Sequence, residues 1–242
     1  MRSCLNTTLC RLLLSAGFVC VAAAHADPLP DGFAYLSDLA PGVQQEMRYA
    51  TSNNFIGRPI AGYHAGRCIL SVPAATALAA VEQELEPQGL ALKVFDCYRP
   101  QQAVDDFVSW GHDLADQKNK ATYYPQVPKD ELFKRGYIAE KSGHSRGSTM
   151  DLTVVVITPG KNTVVQGAVL ASGEVDMGSR FDLFDELSHT DYPSLPAAPS
   201  HNRQWFRSLM EKHGFKNLPE EWWHYTLRNE PYPDQYFNFP VQ

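Results

Sequence analysis

The sequence has little that would suit a membrane-spanning, repetitive or nucleic-acid-binding protein. It contains no internal repeat and no block of like charges, and its longest mostly apolar run, residues 12–24, is shorter than the roughly 20 residues that span a bilayer. Basic residues are in the minority, with 21 Lys and Arg against 27 Asp and Glu and a formal net charge of −6. Nucleic acid is therefore not expected as a partner.

The N-terminus has the pattern of a secretory signal peptide. Arg2 and Arg11 precede the apolar run, which ends in the small-residue sequence AHA. This pattern predicts a signal peptide over residues 1–26, cleaved after Ala26, and a periplasmic protein with no stable membrane insertion after cleavage. A lipoprotein is the weaker alternative, because the leucine-led lipidation pattern does not precede Cys20.

Cysteine is scarce once the signal peptide is removed. Cleavage deletes three of the five cysteines and leaves Cys68 and Cys97. It also removes two basic residues and no acidic one, so the formal charge of the mature chain becomes −8. In an oxidising compartment one disulfide is the first expectation, and two separate buried thiols are the alternative.

Residues 27–242 show helical and strand patterns that do not alternate strictly. The predicted helices cover residues 71–89, 100–117, 129–135 and 201–215, the last capped by Ser200. The predicted strands cover residues 90–100, 150–158 and 221–228, and residues 158–170 are predicted to form a turn and a further strand. Residues 176–202 are predicted to be a long ordered loop. We therefore predict one α+β domain, with a central antiparallel sheet and flanking helices.

Two of the eight histidines stand near carboxylates at spacings that suit a metal peptidase. His144 precedes Asp151 by seven residues, and Glu221 precedes His224 by three. Each pair alone is a weak signal. Together they supply two imidazoles and a carboxylate, the ligand set that leaves a fourth zinc position open, and a second carboxylate that can act as a base.

The strand pattern assigns different positions to the two carboxylates. In a regular strand Glu221 and His224 would point to opposite faces, so we expect Glu221 to project from an irregular strand start after Pro219, set back from the ion by a water's width. Asp151 precedes the apolar run LTVVVI, where an unpaired carboxylate would be costly to bury. The alternatives are a turn cap for Asp151 and a surface acid for Glu221.

Several separate motifs occur in one order along the chain: MRYATSNNFIGRPIAGY, DCYRP, SGHSRGSTMDLT, MGSRFD, EWWHY and LRNEPYPDQYFNFPV. In these motifs, from residue 47 to the C-terminus, the chain resembles the zinc-dependent D-alanyl-D-alanine dipeptidases, the VanX type associated with vancomycin resistance. The resemblance implies a hedgehog/DD-peptidase-like fold. It also implies hydrolysis of the small dipeptide D-Ala-D-Ala to two D-alanines.

The resemblance also implies roles for individual residues. His144, Asp151 and His224 match the ligands of one zinc ion per chain. Glu221 matches the general base that acts on a zinc-activated water. Arg99 matches the arginine that stabilises the charge on the attacked carbonyl oxygen.

Four further positions match substrate-binding residues. Ser142, Tyr49 and Asp182 match residues that hold the free ammonium group of the dipeptide. Tyr63 matches a tyrosine near the bound substrate. A carboxylate paired with the ammonium group would explain a preference for dipeptides, because an internal peptide bond offers no such charge.

The chain departs from the resistance enzymes in three respects. Gly143 stands where they have a serine beside the ligand histidine, so one contact to the carboxyl-terminal residue of the substrate is in doubt. The export signal implies turnover of cell-wall dipeptide rather than resistance. A Cys68–Cys97 disulfide would brace the strand end that presents Arg99, by roughly 3–4 kcal/mol.

Two other functions are compatible with the same residues. One is a zinc D,D-carboxypeptidase or endopeptidase that acts on peptidoglycan stem peptides, which would need an open cleft. The other is a non-catalytic, zinc-stabilised binding domain, which would have no need of Glu221 and Arg99.

Overall fold

A computed structural model describes residues 28–242. The predicted signal peptide and its cleavage site therefore lie outside the described residues. The strands are β1 Phe33–Tyr35, β2 Gln44–Gln45, β3 Ile69–Ser71, β4 Leu90–Asp96, β5 Thr149–Val156, β6 Phe215–Leu218 and β7 Glu221–Leu227. The α-helices are α1 Leu36–Leu39, α2 Val72–Leu85, α3 Gln101–His112, α4 Lys120–Tyr123 and α5 Ala197–Lys212. Short 3-10 helices cover Arg48–Ala50, Glu86–Gln88, Lys129–Glu131, Gly143–Arg146 and Glu186–Ser188.

Five strands form the main sheet, in the order β2-β4-β5-β7-β6. The pairs β4–β5, β5–β7 and β6–β7 are antiparallel, and only the two-residue edge strand β2 pairs in parallel, with β4. Strands β1 and β3 form a separate antiparallel pair. The predicted α+β class is confirmed, with a sheet that is antiparallel apart from this one edge.

The centre of the sheet is buried on both faces. Every residue of β4 is buried, and so is every residue of β5 except the last, Val156. A strand covered on both sides needs a nearly continuous apolar run rather than alternation. Helix α2 contacts β4, and α5 contacts β6 and β7. The buried polar residues of β4 and β5 are therefore exceptions, and among them are Asp96 and Asp151.

Several predicted boundaries differ from the structure for local reasons. Residues 158–170 do not form the predicted strand, and Val169 makes only an isolated bridge with Val175. The helix predicted over residues 129–135 is the 3-10 helix Lys129–Glu131. Helix α5 begins after Pro196 rather than at Ser200, and it includes Pro199, since proline is tolerated in a first helical turn.

Several further predicted elements extend past their observed ends, among them the helix predicted over residues 100–117, which ends at His112. The helix predicted to reach residue 215 ends at Lys212, and Gly214, with φ +89°, turns the chain into β6. The strand predicted to reach residue 100 ends at Asp96, where the register with β5 shifts.

Cys68 and Cys97 form a disulfide. The bond connects the residue before β3 to the residue after β4, so the alternative of two separate thiols is wrong. Among residues 28–242, no helix combines the length and the apolar character needed to cross a membrane.

Candidate functional site

Three possible metal ligands meet on neighbouring elements of the sheet. Asp151 on β5 and His224 on β7 are direct partners in the antiparallel ladder. His144 lies in the 3-10 helix Gly143–Arg146, shortly before β5. One ligand atom from each of these residues lies within 4.8 Å of the other two. The structure thus brings together the three residues that were predicted to bind metal.

A tight turn brings His144 back over the sheet. The Ser142 hydroxyl accepts a hydrogen bond from the His144 backbone N–H at 3.3 Å and so caps the short helix. Gly147 ends it with φ +82°, and a Cβ there would lie 2.3 Å from the Phe33 ring. Glycine is therefore required at this turn both by backbone conformation and by space.

The chemistry of this cluster fits a divalent cation. Asp151 Oδ1 lies 3.3 Å from His144 Nε2 and 3.0 Å from His224 Nδ1, and the two ring nitrogens are 3.4 Å apart. Asp151 Oδ1 is buried and accepts no hydrogen bond of good geometry from the described residues. This oxygen and the two imidazole nitrogens that it faces together form a set of three electron-pair donors, which a divalent cation can bind.

A backbone carbonyl fixes the orientation of His144. The His144 Nδ1–H donates to the Cys97 carbonyl at 2.7 Å, since a carbonyl can only accept. Nε2 is then unprotonated in the neutral ring and points at the cluster. This is the arrangement of a metal-binding histidine, whose second nitrogen is held by a hydrogen bond.

The titration of the cluster reflects strong mutual interaction. Burial opposes ionisation of Asp151, but the adjacent His144 and His224 outweigh it and hold the pKa of Asp151 below its usual range. Burial likewise disfavours the charged form of His224, but Asp151 and Glu221 outweigh it and raise the pKa of His224 to about 9. The negative charges of Asp151 and Glu221 therefore favour a positive charge at the cluster.

Glu221 reaches the cluster from the irregular start of β7. The β6–β7 register shifts between Asn217 and Leu218, where Leu218 pairs with Glu221. Glu221 Oε2 lies 3.3 Å from His224 Nδ1, although a regular strand would place the two side chains on opposite faces. The expected irregularity is present, and it places a second carboxylate beside the candidate ligands.

Arg99 is held rigidly at the edge of the cluster. Its Nε donates to Asp96 Oδ2 at 3.0 Å, and Nη2 lies 2.9 Å from the same oxygen and 3.7 Å from Asp151 Oδ2. Its guanidinium carbon lies 5.0 Å from the ring centres of both Tyr49 and Phe107. A cation fixed in this way is suited to stabilise negative charge at one defined point.

Asp96 is a residue of the site that the sequence reasoning missed. It is fully buried, and it accepts hydrogen bonds from Arg99 and from the Tyr63 hydroxyl, the latter at 2.6 Å. It also pairs across the sheet with Asp151. The available signal was an acid at the end of an apolar strand, three residues before an arginine, in the motif DCYRP.

Asp182 is a buried carboxylate in the pocket wall. The Tyr49 hydroxyl lies 3.0 and 2.9 Å from its two oxygens, and Asp182 has a positive φ of 64°. Burial, followed by the nearby charge of Asp151, raises the pKa of Asp182 well above its usual value. A cationic group bound beside it would favour its ionised form.

A single pocket brings most of the predicted residues together. Its volume is about 340 Å³, which is in the range of small-molecule sites. Eight predicted site residues line it: Tyr49, Arg99, Ser142, His144, Asp151, Asp182, Glu221 and His224. Tyr63 lies behind this wall, where its hydroxyl is bonded to Asp96.

Comparisons with known proteins agree with the resemblance noted in the sequence. The family model described as D-Ala-D-Ala dipeptidase, peptidase M15, matches residues 30–242. A D-alanyl-D-alanine dipeptidase of Streptomyces coelicolor is 42% identical over 209 residues, which cover 86% of this chain and 98% of that protein. A D-alanyl-D-alanine dipeptidase of Enterococcus faecium is 39% identical over 211 residues, 87% of this chain and 98% of that protein.

One solved structure is also similar, at a much lower level. It is the vancomycin-resistance D,D-pentapeptidase VanY in complex with Zn(II), 13% identical, with a TM-score of 0.37 over 70% of this chain and 78% of that chain. The sequence identity and the TM-score are both too low for this similarity to bear on function.

Proposed function

Because the chain belongs to the D-Ala-D-Ala dipeptidase family of M15 peptidases, we propose that it hydrolyses the free dipeptide D-Ala-D-Ala to two D-alanines. The observation that supports this most directly is the convergence of His144, Asp151 and His224 within 4.8 Å, with Glu221 beside them. These three residues would hold one zinc ion. When bound by two imidazoles and a carboxylate, zinc lowers the pKa of a water molecule and polarises a carbonyl group.

The proton transfers are assigned to Glu221. Its carboxylate is 19% exposed, so it borders the pocket and can accept a proton from the attacking water. The water oxygen adds to the peptide carbonyl carbon, and Glu221 returns the proton to the departing nitrogen as the C–N bond breaks. The new carboxylic acid passes its proton to the new amine, so the products are one carboxylate and one ammonium group, and the glutamate is regenerated.

Arg99 is assigned to the developing negative charge on the carbonyl oxygen. Its hydrogen bonds to Asp96 and its position between two aromatic rings fix the guanidinium before substrate binds. Preorganised donors of this kind stabilise a transition state without the cost of reorientation.

Recognition of the substrate ammonium group is assigned to Asp182, Tyr49 and Ser142. Asp182 supplies the charge, and the Tyr49 hydroxyl orients it. The interaction requires a free α-ammonium group, so an N-acylated peptide would leave Asp182 buried without a cation. That cost explains selection of a dipeptide over an internal peptide bond.

The proposed setting is the periplasm. The predicted signal peptide over residues 1–26 would export the chain, which would then meet dipeptide released during cell-wall turnover. The product D-alanine would become available for reuse.

One assay tests the proposed reaction. The mature protein, residues 27–242, is incubated with D-Ala-D-Ala, L-Ala-L-Ala or N-acetyl-D-Ala-D-Ala, with and without a chelator. Hydrolysis of the first substrate alone, abolished by chelation and restored by zinc, is expected. Release of D-alanine from a pentapeptide stem but not from the free dipeptide would instead indicate a carboxypeptidase.

A further inference from the structure

The pocket carries opposite charges on its two sides. Glu221 precedes the candidate ligand His224 along β7, and Thr226 comes after it. Glu221 and Thr226 therefore lie on opposite sides of the metal-ligand cluster. Asp182 belongs to the acidic side: its carboxylate oxygens lie 3.0 and 2.9 Å from the Tyr49 hydroxyl, and the charged groups that act on it are Asp151, Glu221 and Arg99. Lys141 and Arg146 line the same pocket, and neither takes part in the proposed hydrolysis.

Arg146 is placed at the Thr226 side by its neighbours. Thr149 is two residues from Asp151 on β5 and so shares its face, and Thr149 Oγ1 lies 2.8 Å from Thr226 Oγ1. A Cβ added to Gly143 would lie 2.9 Å from Thr149 Oγ1 and 3.4 Å from Arg146 Nη2. The guanidinium group therefore lies next to the threonine pair, one step along the sheet from the cluster.

The Arg146 guanidinium is held in one orientation. Its Nε and Nη2 each lie 2.8 Å from an oxygen of Glu230, and the two side chains are 18% and 12% exposed. Lys141 is the second cation here, with its Nζ 5.0 Å from the centre of the Tyr236 ring. Two cations against one carboxylate leave this side with a surplus of positive charge.

We infer that Arg146, assisted by Lys141, binds the terminal carboxylate of the substrate. The inference rests on the proposed function, in which the ammonium group lies at Asp182 on the other side of the cluster. A dipeptide carries one charge at each end, and arginine is well suited to carboxylate recognition. The pocket would then recognise both termini of its substrate.

The test compares D-Ala-D-Ala with its C-terminal amide, which lacks the negative charge. In the zinc-loaded mature protein, kcat/KM for the free acid is expected to exceed that for the amide by about 10- to 100-fold, the range of a charged hydrogen bond. Arg146→Gln should reduce this preference to about threefold or less, by lowering kcat/KM for the free acid while that for the amide changes little. Lys141→Gln should reduce it only in part.

Glu230→Gln is the matched control, because it breaks the same ion pair and keeps the guanidinium charge. It should retain the preference for the free acid, even if the free energy of unfolding falls as much as in Arg146→Gln. Lys216→Gln, which removes a nearby cation that does not line the pocket, should leave the preference unchanged. If Glu230→Gln and Arg146→Gln lose the preference equally, the ion pair matters only for structure and the inference is overturned.

The assay separates this inference from the proposed function. Equal hydrolysis of acid and amide by the wild type would refute carboxylate recognition and leave the dipeptidase activity intact. Hydrolysis of neither would refute the dipeptidase activity, and calorimetry with both compounds would then decide the inference. Equal affinity for acid and amide in the wild-type protein would overturn it.

Discussion

The pocket contains an unusual number of buried carboxylate side chains. Asp96, Asp151 and Asp182 are each at most 5% exposed, and Glu221 adds a fourth carboxylate nearby. Among the described residues, Arg99 is the one arginine or lysine side chain bonded directly to this group, and His224, whose pKa is raised to about 9, adds one further positive charge. Burying unbalanced carboxylates costs free energy, so the surplus negative charge favours binding of a cation at the cluster.

The roles assigned to the two kinds of carboxylate can be separated by mutation. Glu221→Ala is expected to lower kcat by roughly 100- to 10,000-fold, the usual contribution of a general base, because Glu221 Oε2 is the carboxylate oxygen placed beside the candidate ligand His224. Zinc content, measured by metal analysis, should be unchanged, because the three ligands remain. Exposed Glu220 is the matched control, and Glu220→Ala should keep both activity and metal. Loss of zinc from Glu221→Ala would show that Glu221 is a ligand.

At the scale of elements, the strands adjoining the site depend on links outside the sheet. The Cys68–Cys97 disulfide ties β3 to the end of β4, and the Cys97 carbonyl holds the ring of His144. Two residues later the same segment presents Arg99. One covalent link thus fixes the backbone that orients both a candidate ligand and the candidate oxyanion partner.

Removal of this link should lower stability. The double variant Cys68→Ser, Cys97→Ser opens a loop with a sequence separation of 29 residues. It is expected to lose about 3–4 kcal/mol in the free energy of unfolding, measured by urea denaturation under non-reducing conditions. Wild-type protein treated with a reducing agent should show a similar loss, and the agent should not affect the double variant. Equal stability of wild type and variant would mean that the disulfide contributes nothing.

Elements with a strong local pattern could be predicted from the sequence. Helices α2 and α3 and strands β5 and β7 were predicted because their periodicity or apolar runs are clear. Strands β1, β2 and β6 have two to four residues each and are defined mainly by their partners, which the sequence does not show. Val164, Val165 and Val169 gave residues 158–170 the composition of a strand, but the fold offers them no neighbouring strand.

The residues of the site likewise include some that the sequence could predict and one that it could not. His144, Asp151 and His224 could be proposed because their residue types and spacing restrict their chemistry. Asp96 could not, since its importance depends on Tyr63 and Arg99, which approach it only in the folded chain.

At the scale of the whole molecule, the C-terminal segment joins distant parts of the site. The Phe237 N–H donates to the Ser145 carbonyl, the Val241 N–H to the Gly62 carbonyl, and the Tyr98 hydroxyl to the Phe239 carbonyl. These bonds tie the segments that carry Tyr63, Arg99 and His144 to one stretch of chain. The pocket is therefore assembled from nearly the full length of the domain, and its integrity should follow global folding.

Zinc should stabilise this assembly, because its three candidate ligands come from β5, β7 and the turn before β5. A ligand that binds only the folded state at a concentration 100 times its Kd adds about 2.7 kcal/mol to the free energy of unfolding. Urea denaturation in excess zinc and in chelator is expected to show a difference of about that size. His224→Ala should abolish most of it, whereas His201→Ala, on the exposed face of α5, should not. An undiminished zinc effect in His224→Ala would place the metal elsewhere on the protein.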